Sequence, residues 1–161
     1  MPPASPPADT LVVVLAGGSN SRFQPLRDKT LLPMLGRPLL AHHLDALAAA
    51  GLRDVVVVAN ARTESRIRAQ LREYAGSGAL AECVVQERAV GMGDAVLTVA
   101  ERLGARAQRP LLITQAHDVV EPSLFARVAT EIAAAHEGVD GFITGRQVRE
   151  YFPAGYLSVE A

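Results

Sequence analysis

The sequence predicts an α/β fold, a doubly wound and mostly parallel sheet with helices on both faces. Short valine- and leucine-rich runs alternate with segments of helical periodicity along the chain. The apolar runs lack in–out alternation, as expected of strands buried on both faces. The connections between them are short, which suits βαβ units rather than separate layers of strands and helices.

Each element follows in order. Residues 1–10 (MPPASPPADT) are rich in Pro, Ala and Ser and are expected to form a disordered tail, leaving one domain over residues 11–161. Leu11–Ala16 (LVVVLA) is the first buried strand, broken by Gly17-Gly18-Ser19-Asn20-Ser21. Pro38 suits a first helical position, and Leu39–Ala50 carries Leu40, Leu44 and Leu47 on one face, with Gly51 as C-terminal cap. Asp54–Ala59 (DVVVVA) is the second strand. Thr63 can cap a helix to about Tyr74, with Ile67 and Leu71 on its apolar side. Glu82–Gln86 is the third strand, and Gly91-Met92-Gly93 leads into a helix from Asp94 to about Leu103. Pro110–Thr114 is the fourth strand, Pro122 opens a helix to about Ala135, and Val139–Thr144 (VDGFIT) reads as a fifth strand. Tyr156–Val159 reads as a further short strand.

Composition narrows the function. A net charge of −1 argues against a general nucleic-acid binder, which needs a basic surface to displace counterions. The longest clean apolar run near the start, Leu11–Ala16, is far short of a membrane span, and the basic start of a signal peptide is missing. The single cysteine, Cys83, allows no intrachain disulfide and is expected in the core. A cytoplasmic protein is the resulting expectation.

Ligands of doubly wound sheets bind at the carboxyl ends of the strands. The unusual residues of this chain gather in the loops after Ala16, Gln86 and Thr114. In the first, Gly17 and Gly18 let backbone N–H groups approach phosphate oxygens. Arg22 can fork onto phosphate, and Lys29 supplies a point charge. Together they suit a triphosphate, although neither the P-loop nor the GxGxxG pattern is present. In the second loop, Gln86 is followed five residues on by Gly91. In the third, Asp118 follows a strand directly, where a carboxylate suits Mg2+. Elsewhere, His42 and His43 are expected to be one half-buried and one solvated. His136 falls near a helix end, and the arginines Arg62, Arg66, Arg68 and Arg72 read as a solvated face.

The stretch Leu15–Leu40, LAGGSNSRFQPLRDKTLLPMLGRPLL, resembles the signature of the sugar-phosphate nucleotidylyltransferase family (glucose-1-phosphate thymidylyl- or uridylyltransferase-like). That signature runs LAGG, a short variable stretch, Arg, Pro-Leu, Lys, and Leu-Leu-Pro followed by Gly-(Lys or Arg)-Pro. The resemblance covers about residues 11–145 and implies a Rossmann-like nucleotidyltransferase fold. It also implies a nucleotide-binding loop of Leu15, Ala16, Gly17, Gly18 and Ser19, with Arg22 and Lys29 as catalytic residues on the phosphates. It places Gln86 and Gly91 on the base and makes Asp118 a Mg2+ ligand. His117 stands where the family usually has Gly.

The implied reaction moves an NMP unit from an NTP to a sugar 1-phosphate, giving NDP-sugar and pyrophosphate. The implied partners are NTP and a phosphorylated small-molecule acceptor, with no nucleic acid and no membrane; homo-oligomer formation is left open. The spacing from Arg22 to Lys29 is shorter than in many hexose-1-phosphate enzymes and lacks their Pro before the Lys. A cytidylyl- or guanylyltransferase acting on a non-sugar phosphate is therefore an alternative. An inactive nucleotide-sensing subunit, or a nucleotide-binding module paired with a separate acceptor domain, is a further one. Family members run well beyond this length, so the resemblance implies a domain truncated at its C-terminus, without the half that supplies sugar contacts and a second metal-binding Asp.

Overall fold

A computed structural model describes residues 9–18, 25, 28–75, 79–88, 90–135, 138–145, 147–151 and 157. Residues 1–8 of the expected tail, Ser19, Arg22, His136 and all of Tyr156–Val159 except Leu157 lie outside the described residues.

The first strand, β1 (Leu11–Leu15), ends one residue before Ala16. A 3-10 turn follows at Lys29–Leu31. Two short strands, β2 (Pro33–Met34) and β3 (Arg37–Pro38), form an antiparallel hairpin. Helix α1 (Leu39–Ala49), β4 (Asp54–Ala59), α2 (Glu64–Ala75), β5 (Leu80–Val85), α3 (Met92–Leu103), β6 (Leu111–Gln115) and α4 (Pro122–Ala134) complete the order. The main sheet has four strands in the order β5-β4-β1-β6, and every pairing in it is parallel. Among the described residues no helix is long and apolar enough to cross a membrane.

The valine runs behave as strands buried on both faces must. Val12, Val14, Val55 and Val57 point into one core with Leu40, Leu44, Leu47, Ile67, Leu71 and Phe125 from α1, α2 and α4. Leu11, Val13, Val56 and Val58 point the other way, onto Ala95 and Val99 of α3. Full burial of each Val or Leu contributes roughly 1.5–3 kcal/mol, so alternate residues of one strand stabilise two different helix layers. The sheet is thus doubly wound, as the sequence predicts.

Several local expectations are corrected. Pro38 is the N-cap of α1 and closes the hairpin rather than opening the helix. The hairpin was not foreseen because its turn places Leu35 and Gly36 at φ 50° and 79°, a conformation leucine rarely adopts. Strand β5 begins at Leu80 and α3 at Met92, each two residues earlier than expected. Residues 139–145 form no strand, and Phe142 and Ile143 are 51% and 77% exposed. Asp140 and Gly141 interrupt that apolar run, and both residue types disfavour strands. Among the described residues β6 therefore has a single sheet neighbour, β1, and Ile113 is left half-exposed at the edge.

Candidate functional site at the strand ends

All four parallel strands finish on the same side of the sheet, and the residues just beyond them meet. Ala16 N–H still donates to Val58 O at 2.8 Å, so Gly17 leaves the sheet beside the end of β4. There the Asn60 side chain donates from Nδ2 to Gly17 O at 3.2 Å. Its Oδ1 accepts from the amides of Arg62 (3.0 Å) and Thr63 (3.1 Å), which fastens the start of α2 to the glycine loop. Thr63 does stand at the start of α2, its carbonyl accepting from Ile67 N–H at 2.9 Å, but its hydroxyl turns back to Asn60.

Gln86 follows β5 and is buried. Its amide N–H groups go to Gly91 O (3.1 Å) and to the Asp94 carboxylate (2.6 Å). Its Oε1 faces Gly17 so closely that a Cβ on Gly17 would lie 3.2 Å from it and 3.3 Å from Ala59 O. Gly91 caps α3 at φ 137°, which favours glycine. The expected nucleotide-loop residue Gly17 and the expected base-contact pair Gln86 and Gly91 are thus one packed unit. Gly18 is exposed, with open space around it. Replacing Gly17 by Ala is expected to push Gln86 and the β4 end apart. Ala59 O also accepts from Gln86 N–H at 2.9 Å, so the shift strains that bond and a loss of about 1–3 kcal/mol should appear as a lower denaturation midpoint. An unchanged midpoint would show that the loop is free to move away.

The other half of the site lies beyond β1 and β6. Ala116 N–H donates to Leu15 O at 3.1 Å and Asp118 N–H to Gln115 O at 3.1 Å, giving a tight turn after β6. The Asp118 side chain is half-exposed, 3.8 Å from His117 Nε2. His117 titrates below the usual imidazole value of 6.5, first through burial and then through the positive charge of Lys29. Lys29 therefore sits within electrostatic reach of the turn that carries Asp118. Leu15, Met92, Gln115, Asp118 and Thr144 line one open groove along the β6 edge.

Sequence reasoning missed two residues that hold this site. Asn60, three residues before Thr63, carries the one available signal, a side chain able to make an Asx turn. Asp28 precedes Lys29 in the left-handed region at φ 55° and is buried. It accepts from Arg62 Nε (3.0 Å) and Nη2 (2.8 Å) and from Arg66 Nη1 (3.2 Å). Two of the arginines expected to be solvated are therefore engaged in fixing the segment before Lys29, while Arg68 pairs with Glu64 on the surface. His43 is buried and His42 is partly buried on Met34 O at 2.7 Å, so neither is the solvated histidine expected. Cys83 is buried as expected, and burial raises its thiol pKa, leaving it unreactive.

The buried His43 also titrates low. Burial is the main cause, partly opposed by its hydrogen bond to the Asp118 carbonyl. On unfolding, both His43 and His117 return to about 6.5. Protons then bind the unfolded chain first as pH falls, so the stability these groups confer is complete above that value and is lost below it. Urea midpoints at pH 7.5 and pH 5 are expected to fall more in the wild type than in His43→Asn. Equal falls would remove His43 from the acid response.

The MobA-like NTP transferase domain family matches residues 12–157, nearly the whole of the chain. The chain belongs to that family. The match spans the glycine loop, Lys29, Gln86 and the Asp118 turn of this NTP transferase domain. Curated relatives include the bifunctional protein GlmU of Rhizobium leguminosarum bv. trifolii (strain WSM2304), 36% identical over 104 residues, or 65% of this chain and 22% of that protein. GlmU of Sorangium cellulosum (strain So ce56) is 28% identical over 153 residues, 95% of this chain and 32% of that protein. The chain thus spans about a third or less of the length of these relatives. A Bacillus anthracis crystal structure described as a glucose-1-phosphate thymidylyltransferase shares the fold, with a TM-score of 0.57 over 66% of this chain and 44% of that one, at 22% identity.

Proposed function

We propose that this domain binds an NTP and serves transfer of its NMP unit to a sugar 1-phosphate, with release of pyrophosphate. The observation that carries the reading is the convergence of Gly17, Gln86, Gly91, Lys29 and Asp118, scattered in sequence, at the strand ends of a family domain. The sugar acceptor rests on the family resemblance of Leu15–Leu40 and on the glucose 1-phosphate in the name of the structural neighbour.

In the reaction, an oxygen of the acceptor phosphate attacks the α-phosphorus of the NTP. The α,β-bridging P–O bond breaks and pyrophosphate departs with the electron pair. The attacking oxygen is already anionic near neutral pH, so no side-chain base is needed. The protein aligns the two phosphates and stabilises added negative charge. Backbone N–H groups at Gly17 and Gly18 cradle the triphosphate, with Arg22 and Lys29 as its cations. With its amide N–H groups committed internally, Gln86 holds the base site in shape and offers Oε1 as its polar edge. Asp118 fits Mg2+ as a half-exposed carboxylate that would share the ion with substrate phosphates, since Mg2+ needs only one or two protein carboxylates. Bound there, Mg2+ would neutralise phosphate charge.

A panel of NTPs against sugar 1-phosphates, read by pyrophosphate release and by calorimetric NTP binding with and without Mg2+, tests this reading. Mg2+-dependent binding of one NTP is expected, and no binding of any NTP by folded protein would sink it. The short Arg22–Lys29 spacing favours a second reading, a cytidylyl or guanylyl transfer to a non-sugar phosphate. Preference for CTP or GTP, with no turnover of sugar 1-phosphates, would select it.

A further inference from the structure

His43 is a polar side chain in an apolar place. It is 5% exposed, and its ring stands edge-on to Phe125 of α4 with centroids 5.3 Å apart. Burying a polar ring costs free energy unless its nitrogens find partners, and an aliphatic residue would fill the space without that cost. Both nitrogens do find partners, at the two ends of one turn. Nδ1 lies 3.3 Å from the carbonyl oxygen of Asp118, and Nε2 lies 3.3 Å from Thr114 Oγ1.

The partners dictate the proton's position. A carbonyl oxygen only accepts, so Nδ1 must carry the hydrogen. In the neutral ring Nε2 is then the acceptor and the Thr114 hydroxyl the donor. Each contact is at the long end of the hydrogen-bond range, but together they grip the turn at its entry and its exit. The Asp118 residue is held from both sides, its N–H by Gln115 O and its C=O by His43.

We propose that His43 is a positioning residue that, by donating from Nδ1 to the Asp118 carbonyl, fixes the direction in which the Asp118 carboxylate meets the groove. The inference rests on the reading of Asp118 as a metal-binding carboxylate. It links α1, which begins right after Gly36-Arg37-Pro38, to the turn beyond β6.

The test uses the full chain and two readouts. Long-range 1H–15N correlation of the His43 ring near pH 7.5 is expected to show the Nδ1–H tautomer; the Nε2–H tautomer overturns the proposal whatever the metal does. Mn2+ binding to the protein with a fixed concentration of NTP present, followed by EPR against a protein-free Mn2+–NTP blank, is then compared across variants. His43→Asn keeps a donor at the Nδ1 position, His43→Gln keeps only a group at the Nε2 position, and His43→Leu keeps neither. Wild type and His43→Asn are expected to bind alike, with His43→Gln and His43→Leu weaker by about tenfold, the lower end of what loss of an outer-shell partner costs. Binding lost in Asp118→Ala but kept in His43→Gln overturns the inference alone. Binding equal in wild type and Asp118→Ala overturns the metal reading and the inference with it. Should His43→Leu fail to fold, the contrast between His43→Asn and His43→Gln still decides.

Discussion

Asp118→Asn is expected to lower nucleotidyl transfer by about 10²–10³-fold while leaving the fold intact. The substitution keeps size and shape and removes the charge. The side chain is half-exposed and its described ionic neighbour, His117, lies 3.8 Å away and titrates low, so little folding free energy depends on the carboxylate. The loss falls instead on the transition state, where electrostatic stabilisation of transferring phosphate is worth several kcal/mol and each 1.36 kcal/mol is about tenfold in rate. Steady-state pyrophosphate release at saturating NTP, over a Mg2+ titration, is the measurement. A kcat within a few-fold of wild type would remove Asp118 from the chemistry.

The second large effect is expected at Lys29. Lys29→Ala should cost about 10²–10³-fold in kcat/KM, the scale for losing one preorganised group on a developing anion. Asp28 anchors the backbone from which this side chain projects. A buried carboxylate held by Arg62 and Arg66 fixes the residue immediately before Lys29. An independent consequence needs no substrate. Lys29 helps hold the His117 pKa down, so that pKa should rise in Lys29→Ala, as NMR titration can show. An unchanged His117 titration would separate Lys29 from the Asp118 turn. Lys29→Arg keeps the charge but not the compact ammonium, and partial activity is expected.

The parts of this fold legible in sequence are those where one physical rule dominates. Val12–Val14 and Val55–Val58, short β-branched runs without in–out alternation, read as strands buried on both faces, and they are. Pro122 opens α4 at its first turn because the missing N–H costs nothing there. The misreadings occur where two rules compete. Val139–Thr144 has enough apolar residues for a strand, but Asp140 and Gly141 decide against it. The Pro33–Pro38 hairpin turns on Leu35 at positive φ, which no propensity favours. In the site, the residues expected at strand ends were visible because chemistry-bearing types stood out against apolar strands. Asp28 and Asn60 were missed and His43 was misplaced because the distant partners that tie them to the site, Arg62, Gly17 and the Asp118 carbonyl, lie 34 to 75 positions away. Periodicity shows which side of an element a residue faces, not what it meets there.

The strand order also governs how the domain can form. β1 lies inside the sheet, yet one neighbour, β4, comes 43 residues later and the other, β6, pairs Leu11 with Leu111, a separation of 100 residues. Closing so long a loop precedes any reward from the contacts it makes, which slows folding relative to local pairing. During synthesis at roughly 5–20 residues per second, β1 waits several seconds for β6 to follow it from the ribosome. In that interval the Leu11–Leu15 backbone lacks one of the two strands that flank it in the finished sheet, so the order in which the chain emerges leaves that edge unpaired until Leu111–Gln115 arrives.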